Sequence, residues 1–155
     1  MQKIKPIFLS LFLSTCFCFN TSYASNSTNS SIKVSEGWAR TSTPGQSVGA
    51  AYMTLTSTKN ITLVQVDSTS AGSVEIHSMS MNNGVMKMRM LNKLDLVAGK
   101  PYKLAPGSFH LMLFDLKKPL KMGEKIDFTL HFKDRANKTS EVKVYVPAKD
   151  EQVSH

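Results

Sequence analysis

From Ile32 onward the chain is a succession of short stretches rich in Val, Ile, Thr, Tyr and Phe, each closed by turn-forming residues, and no stretch repeats its apolar positions at a helical period. This pattern predicts strands over residues 32–40, 49–57, 62–66, 74–81, 85–91, 109–116, 126–132 and 142–146. Pro44-Gly45, Asn83-Gly84, Pro106-Gly107 and Met122-Gly123 supply turns between them. Many short strands at regular spacing point to an all-β Greek-key sandwich or barrel. No internal repeat is present.

The first residues follow a different pattern. Lys3 and Lys5 precede the apolar run Ile7-Phe8-Leu9-Ser10-Leu11-Phe12-Leu13, and Ser22-Tyr23-Ala24 follows, which is the layout of a secretory signal peptide over 1–24. A polar linker is expected over 25–31, one folded domain over 32–147, and a polar, frayed tail over 148–155. The mature chain contains no apolar run long enough for a transmembrane segment. Export places the protein in the periplasm. Leu13-Ser14-Thr15-Cys16 loosely resembles a lipoprotein processing site, but Thr15 is a poor residue before a lipidated cysteine, and cleavage after Ala24 is preferred over an anchor at Cys16.

Both cysteines, Cys16 and Cys18, leave with the leader, so the mature domain has neither disulfides nor thiolate metal ligands. Loss of Lys3 and Lys5 lowers the formal net charge from +8 to about +6. The cations are scattered and belong to no nucleic-acid-binding module, which leaves no basis for DNA or RNA as a partner.

Candidate chemistry comes from the geometry of two segments. Asn-Gly between extended runs favours a two-residue type I′ hairpin loop, and a loop at Asn83-Gly84 sets Met81 opposite Met86, Met79 opposite Met88, and His77 opposite Met90. These six side chains then share one face, while Lys87 and Arg89 take the other. In Phe109-His110-Leu111-Met112-Leu113, strand period puts His110 and Met112 on one face and Phe109, Leu111 and Leu113 on the opposite one. Methionine also fills core gaps, and Met53, Met81, Met86 and Met122 are assigned to packing, His131 and His155 to structural or solvated roles.

The spacing His77-x10-Met88-x21-His110-x-Met112 resembles the motif of the periplasmic PCu(A)C copper chaperones. Gly37-Trp38-Ala39-Arg40, Pro44-Gly45, Gly49-Ala50-Ala51-Tyr52, Gly84-Val85-Met86-Lys87-Met88-Arg89 and Leu104-Ala105-Pro106-Gly107 look like further family segments in order, so the resemblance covers nearly the whole domain. It implies a cupredoxin-like β-sandwich and one Cu(I) ion per chain held by His77, Met88, His110 and Met112. As the partner it implies the copper A domain of cytochrome c oxidase, with exchange among other copper chaperones. Ser78 stands where many members have methionine directly after the first histidine, which puts an auxiliary role at that place in doubt.

The donor chemistry agrees. Two thioethers with two imidazoles suit Cu(I), whereas Mg, Ca and Mn want oxygen and structural Zn relies on Cys, His and carboxylate. A blue-copper electron carrier needs a cysteine thiolate, which the mature chain lacks. Two other functions compete with delivery. A hydrolase could use His77 or His110 with Glu75, but no nucleophile, phosphate loop or zincin helix accompanies them. Periplasmic copper storage or resistance would use the same site with another client. Geometry leaves Met79 and Met90 as rivals to Met88; the family spacing selects Met88.

Overall fold

The computed structural model describes residues 31–150, and within them every regular element is a strand. In chain order these are β1 (Ile32–Arg40), β2 (Val48–Ser57), β3 (Ile61–Asp67), β4 (Ser73–Asn82), β5 (Val85–Leu91), β6 (Leu94–Leu96), β7 (Pro101–Leu104), β8 (His110–Phe114), β9 (Lys125–Asp134) and β10 (Thr139–Lys149). Each strand expected from the hydrophobic pattern forms. The leader, residues 25–30 of the linker and the last residues of the tail, His155 included, lie outside the described residues.

The strands join in the order β5-β4-β8-β2-β1-β10-β9-β3-β6, with β7 added to β2. Neighbours run antiparallel except β1 and β10, which pair in parallel through Ala39–Ala148 and Arg40–Lys149. A pairing of Val66 with Val74 links β3 back to β4, so the sheet curls on itself in the manner of a cupredoxin-like Greek-key sandwich. Its interior follows the period-two rule. Ile126, Phe128, Leu130 and Phe132 of β9 point inward, as do Leu111 and Leu113 of β8, and Met53 and Leu55 of β2 join the same core.

Three local features depart from the sequence reading. β8 ends at Phe114 because Asp115 takes a left-handed backbone (φ 53°), two residues short of the expected end. β10 runs on to Lys149, and Ala148 is buried against the core, so the domain continues past 147. β1 carries a bulge between Ser35 and Trp38, with Glu36 at φ 53°. Gly37 beside it lies so close to Val146 that a Cβ there would stand 2.4 Å from Cγ1 of that side chain.

Candidate metal centre

The β4–β5 hairpin closes as Asn-Gly dictates. Asn83 (φ 49°) and Gly84 (φ 76°) both adopt the positive φ that a type I′ turn requires. The register pairs Met81 with Met86, Met79 with Met88 and His77 with Met90, as the turn predicts. The other edge of β4 carries β8, which sets His77 opposite His110 and Glu75 opposite Met112. β4, with His77, thus lies between the strand that carries Met88 and the strand that carries His110 and Met112.

Successive same-face positions on a strand are about 7 Å apart, and the four expected ligands occupy three successive rungs on the face of β5, β4 and β8 that points away from the core. Met88 is on the rung nearer the hairpin tip, His77 and His110 share the middle one, and Met112 is on the third. The two imidazoles are nonetheless buried, at 8% and 4% exposure, with ring centroids 5.7 Å apart. Phe114 packs 6.2 Å from His77, and Tyr52 packs 6.5 Å from His110. Trp38 in turn leans on Tyr52 at 4.5 Å, so an aromatic flank shields the histidines. Met112 is half-buried, and Met88 and Met90 on the edge strand are half exposed.

Hydrogen bonding determines which nitrogen of each ring is left for another partner. Nε2 of His77 lies 2.7 Å from Oε2 of Glu75, a carboxylate that only accepts, so this nitrogen carries the proton. Nδ1 of His77 then holds a lone pair, and it is buried with no hydrogen-bond partner. On His110 the roles are exchanged: Nδ1 donates to the Ser108 carbonyl at 3.0 Å, which leaves the lone pair on Nε2. An orphaned buried nitrogen costs about 1–3 kcal/mol, a cost removed when an electrophile binds it. Carboxylate and carbonyl partners behind a ring are also the arrangement that orients histidine ligands towards metals.

The donors that strand register places beside the imidazoles are mainly soft. Among the described residues no group of three or more His, Cys, Asp or Glu could hold a metal ion, and apart from Glu75 the side-chain donors on neighbouring positions of this face are the thioethers of Met79, Met88, Met90 and Met112. Such a set favours Cu(I) over zinc or the oxygen-seeking cations.

Other assignments fare unevenly. Met53 is a core residue at 1% exposure, but Met81, Met86 and Met122 are exposed and do not pack the interior. Their positions at a hairpin tip and in the Met122-Gly123 turn explain the difference, since neither place is covered by a second layer. His131 is structural, with Nε2 2.7 Å from Asp67 and Nδ1 3.1 Å from Glu141. Glu75, considered as the partner of a catalytic histidine, does contact His77 through its carboxylate. Ser78 lies on the opposite face, where its hydroxyl is turned to the Arg89 carbonyl at 3.5 Å. The Ser108 carbonyl and the aromatic flank carried no signal in the local sequence.

The chain belongs to the LpqE-like family, whose model matches residues 32–146. It is 34% identical over 122 residues to Lxx21020 of Leifsonia xyli subsp. xyli, a protein named as a lipoprotein, across 77% of this chain and 70% of that one. Among solved structures it resembles the apo PCuAC domain from PmoF1 (TM-score 0.62, 25% identity, 78% of this chain and 95% of that one). It also resembles the solution structure of CuI-DR1885 from Deinococcus radiodurans (TM-score 0.55, 28% identity, 84% and 87%). The fold is therefore that of the PCuAC copper-chaperone domains, as the sequence motif implied.

Proposed function

We propose that the protein is a Cu(I) carrier of the bacterial envelope that binds one ion through Nδ1 of His77, Nε2 of His110 and the sulfurs of Met88 and Met112, and passes it towards the copper A centre of cytochrome c oxidase. The observation that carries this reading is the buried, unpartnered Nδ1 of His77, on a sheet face that it shares with Met88 of β5 and with His110 and Met112 of β8. The similar structure CuI-DR1885, in its Cu(I) form, supports copper as the cargo. A lipoprotein name among the relatives supports export, and no helix among the described residues is long and apolar enough to cross a membrane.

Transfer needs a site that holds the ion yet can surrender it one ligand at a time. Burial of the histidines limits access from one side, whereas Met88 on an edge strand is open to a partner's donors. Both imidazoles bind in neutral form, so protons compete and affinity falls as the solution is acidified. Incubation of the Cu(I)-loaded protein with an apo oxidase copper A domain should move the ion to that domain. Retention of copper by the carrier would favour storage instead.

Glu75 orients His77 without being a proposed ligand. Glu75→Ala is expected to weaken Cu(I) binding by about 10–100-fold, the usual loss when a partner behind a metal-binding histidine is removed. An anaerobic competition titration reads the change, and an unaltered affinity would show that the contact does not tune the ligand.

A further inference from the structure

The β4–β5 hairpin carries more soft donors than one ion requires. Beyond His77 the β4–β8 ladder ends, and among the described residues the backbone bond that still ties the hairpin to the rest of the sheet runs from the Met79 amide to the Ser108 carbonyl at 3.2 Å. The tip is therefore a two-stranded ribbon. One face presents Ser78, Ser80, Asn82, Lys87 and Arg89, and the other presents only thioethers.

The ladder fixes how close these thioethers come. In a two-residue hairpin the pair beside the loop, Asn82 and Val85, exchanges both backbone hydrogen bonds, and positions alternate from there. Met81–Met86, Met79–Met88 and His77–Met90 therefore occupy the non-hydrogen-bonded positions, where facing Cα atoms approach to about 4.5 Å and side chains are closest. Met81 is 66% exposed and Met86 48%, so neither is committed to packing. A pair of neutral soft donors in register, with a second pair one rung inward and the imidazoles one rung further, suits stepwise capture of a soft monovalent ion.

We propose that Met81 and Met86 form a second, weaker Cu(I) site at the hairpin tip, from which the ion moves past Met79 and Met88 to the buried histidines. The inference rests on the Cu(I) reading of the inner site. Each step exchanges one neutral ligand for another, thioether for thioether and finally thioether for imidazole nitrogen, with copper remaining Cu(I), so no electron is transferred. Thioethers carry no titrating proton, so capture at the tip is insensitive to acid.

The test is anaerobic titration of Cu(I) into the mature protein carrying 13C-labelled methionine methyls. The first equivalent should shift Met88 and Met112, and the second Met81 and Met86. The exposed tip tolerates Met81→Leu with Met86→Leu, and this double variant should bind one equivalent only and load at least about tenfold more slowly, having lost local capture. Stationary Met81 and Met86 methyls through two equivalents, or a double variant that still takes the second ion, would overturn the proposal. Failure of the inner site reads differently: Met88 and Met112 stay still while the tip responds to the first equivalent, which supports the tip site alone.

Discussion

His110→Ala is expected to lower Cu(I) affinity by at least about 100-fold while leaving a folded domain. Loss of the hydrogen-bond partner behind a ligand costs up to about that much, and removal of the ligand itself takes away the nitrogen too. The alanine sits on the outer face of β8, and the inward residues Leu111 and Leu113 are untouched. Ser108 loses only a hydrogen bond to its carbonyl. Competition against a Cu(I) chelator measures the loss, and circular dichroism checks the fold. The same titration ranks the thioethers: Met88→Leu should cost more than Met79→Leu or Met90→Leu. Equal effects at all three would mean that the hairpin face binds without a preferred sulfur.

Phe128→Ala is the largest expected change in stability. Phe128 is fully buried on β9, in line with Ile126, Leu130 and Phe132. Truncation removes a ring's worth of apolar burial and leaves a cavity, a loss of about 3–5 kcal/mol where surroundings relax only in part. Domains of this size have about 5–15 kcal/mol in total, so the variant approaches the unfolding threshold. Urea denaturation should show the loss at unchanged Cu(I) stoichiometry. Because a ligand that binds only the folded state adds about 2.7 kcal/mol at 100 times its dissociation constant, Cu(I) should restore part of the lost stability. It should fail to do so in Phe128→Ala combined with His110→Ala. A cost below 1 kcal/mol for Phe128→Ala would contradict the packing described here.

The two ligand strands were legible to different depths. Asn83-Gly84 determines the hairpin register locally, because few residues besides Asn and Gly take the φ values its loop needs, and every pair predicted from it is present. Strand period alone put His110 and Met112 together and turned Leu111 and Leu113 inward. What no local pattern encodes is that β8 pairs with β4, a contact across more than thirty residues that brings His110 opposite His77 and Met112 opposite Glu75. The family resemblance supplied that adjacency.

The missed elements have physical causes as well. β6 alternates correctly, with Leu94 and Leu96 buried around Asp95, but three residues are too few to read as a period. β7 opens on Pro101, a residue that argues against a strand except at its first position or an edge, and here it is the first residue. The packing role given to Met81, Met86 and Met122 failed because residue type says that methionine can fill a gap, whereas burial depends on whether a second layer covers the position. Glu75 enters the sequence only as a carboxylate two residues from His77, and the folded geometry brings its oxygen to Nε2 of that ring, which fixes the tautomer.

X-ray absorption at the copper edge, on the mature protein loaded anaerobically with one equivalent of Cu(I), reads the ligand shell itself. Two sulfurs and two imidazole nitrogens are expected, with one sulfur lost in Met88→Leu and one nitrogen lost in His110→Ala. A shell without sulfur, or one that neither substitution changes, would contradict the four-ligand site.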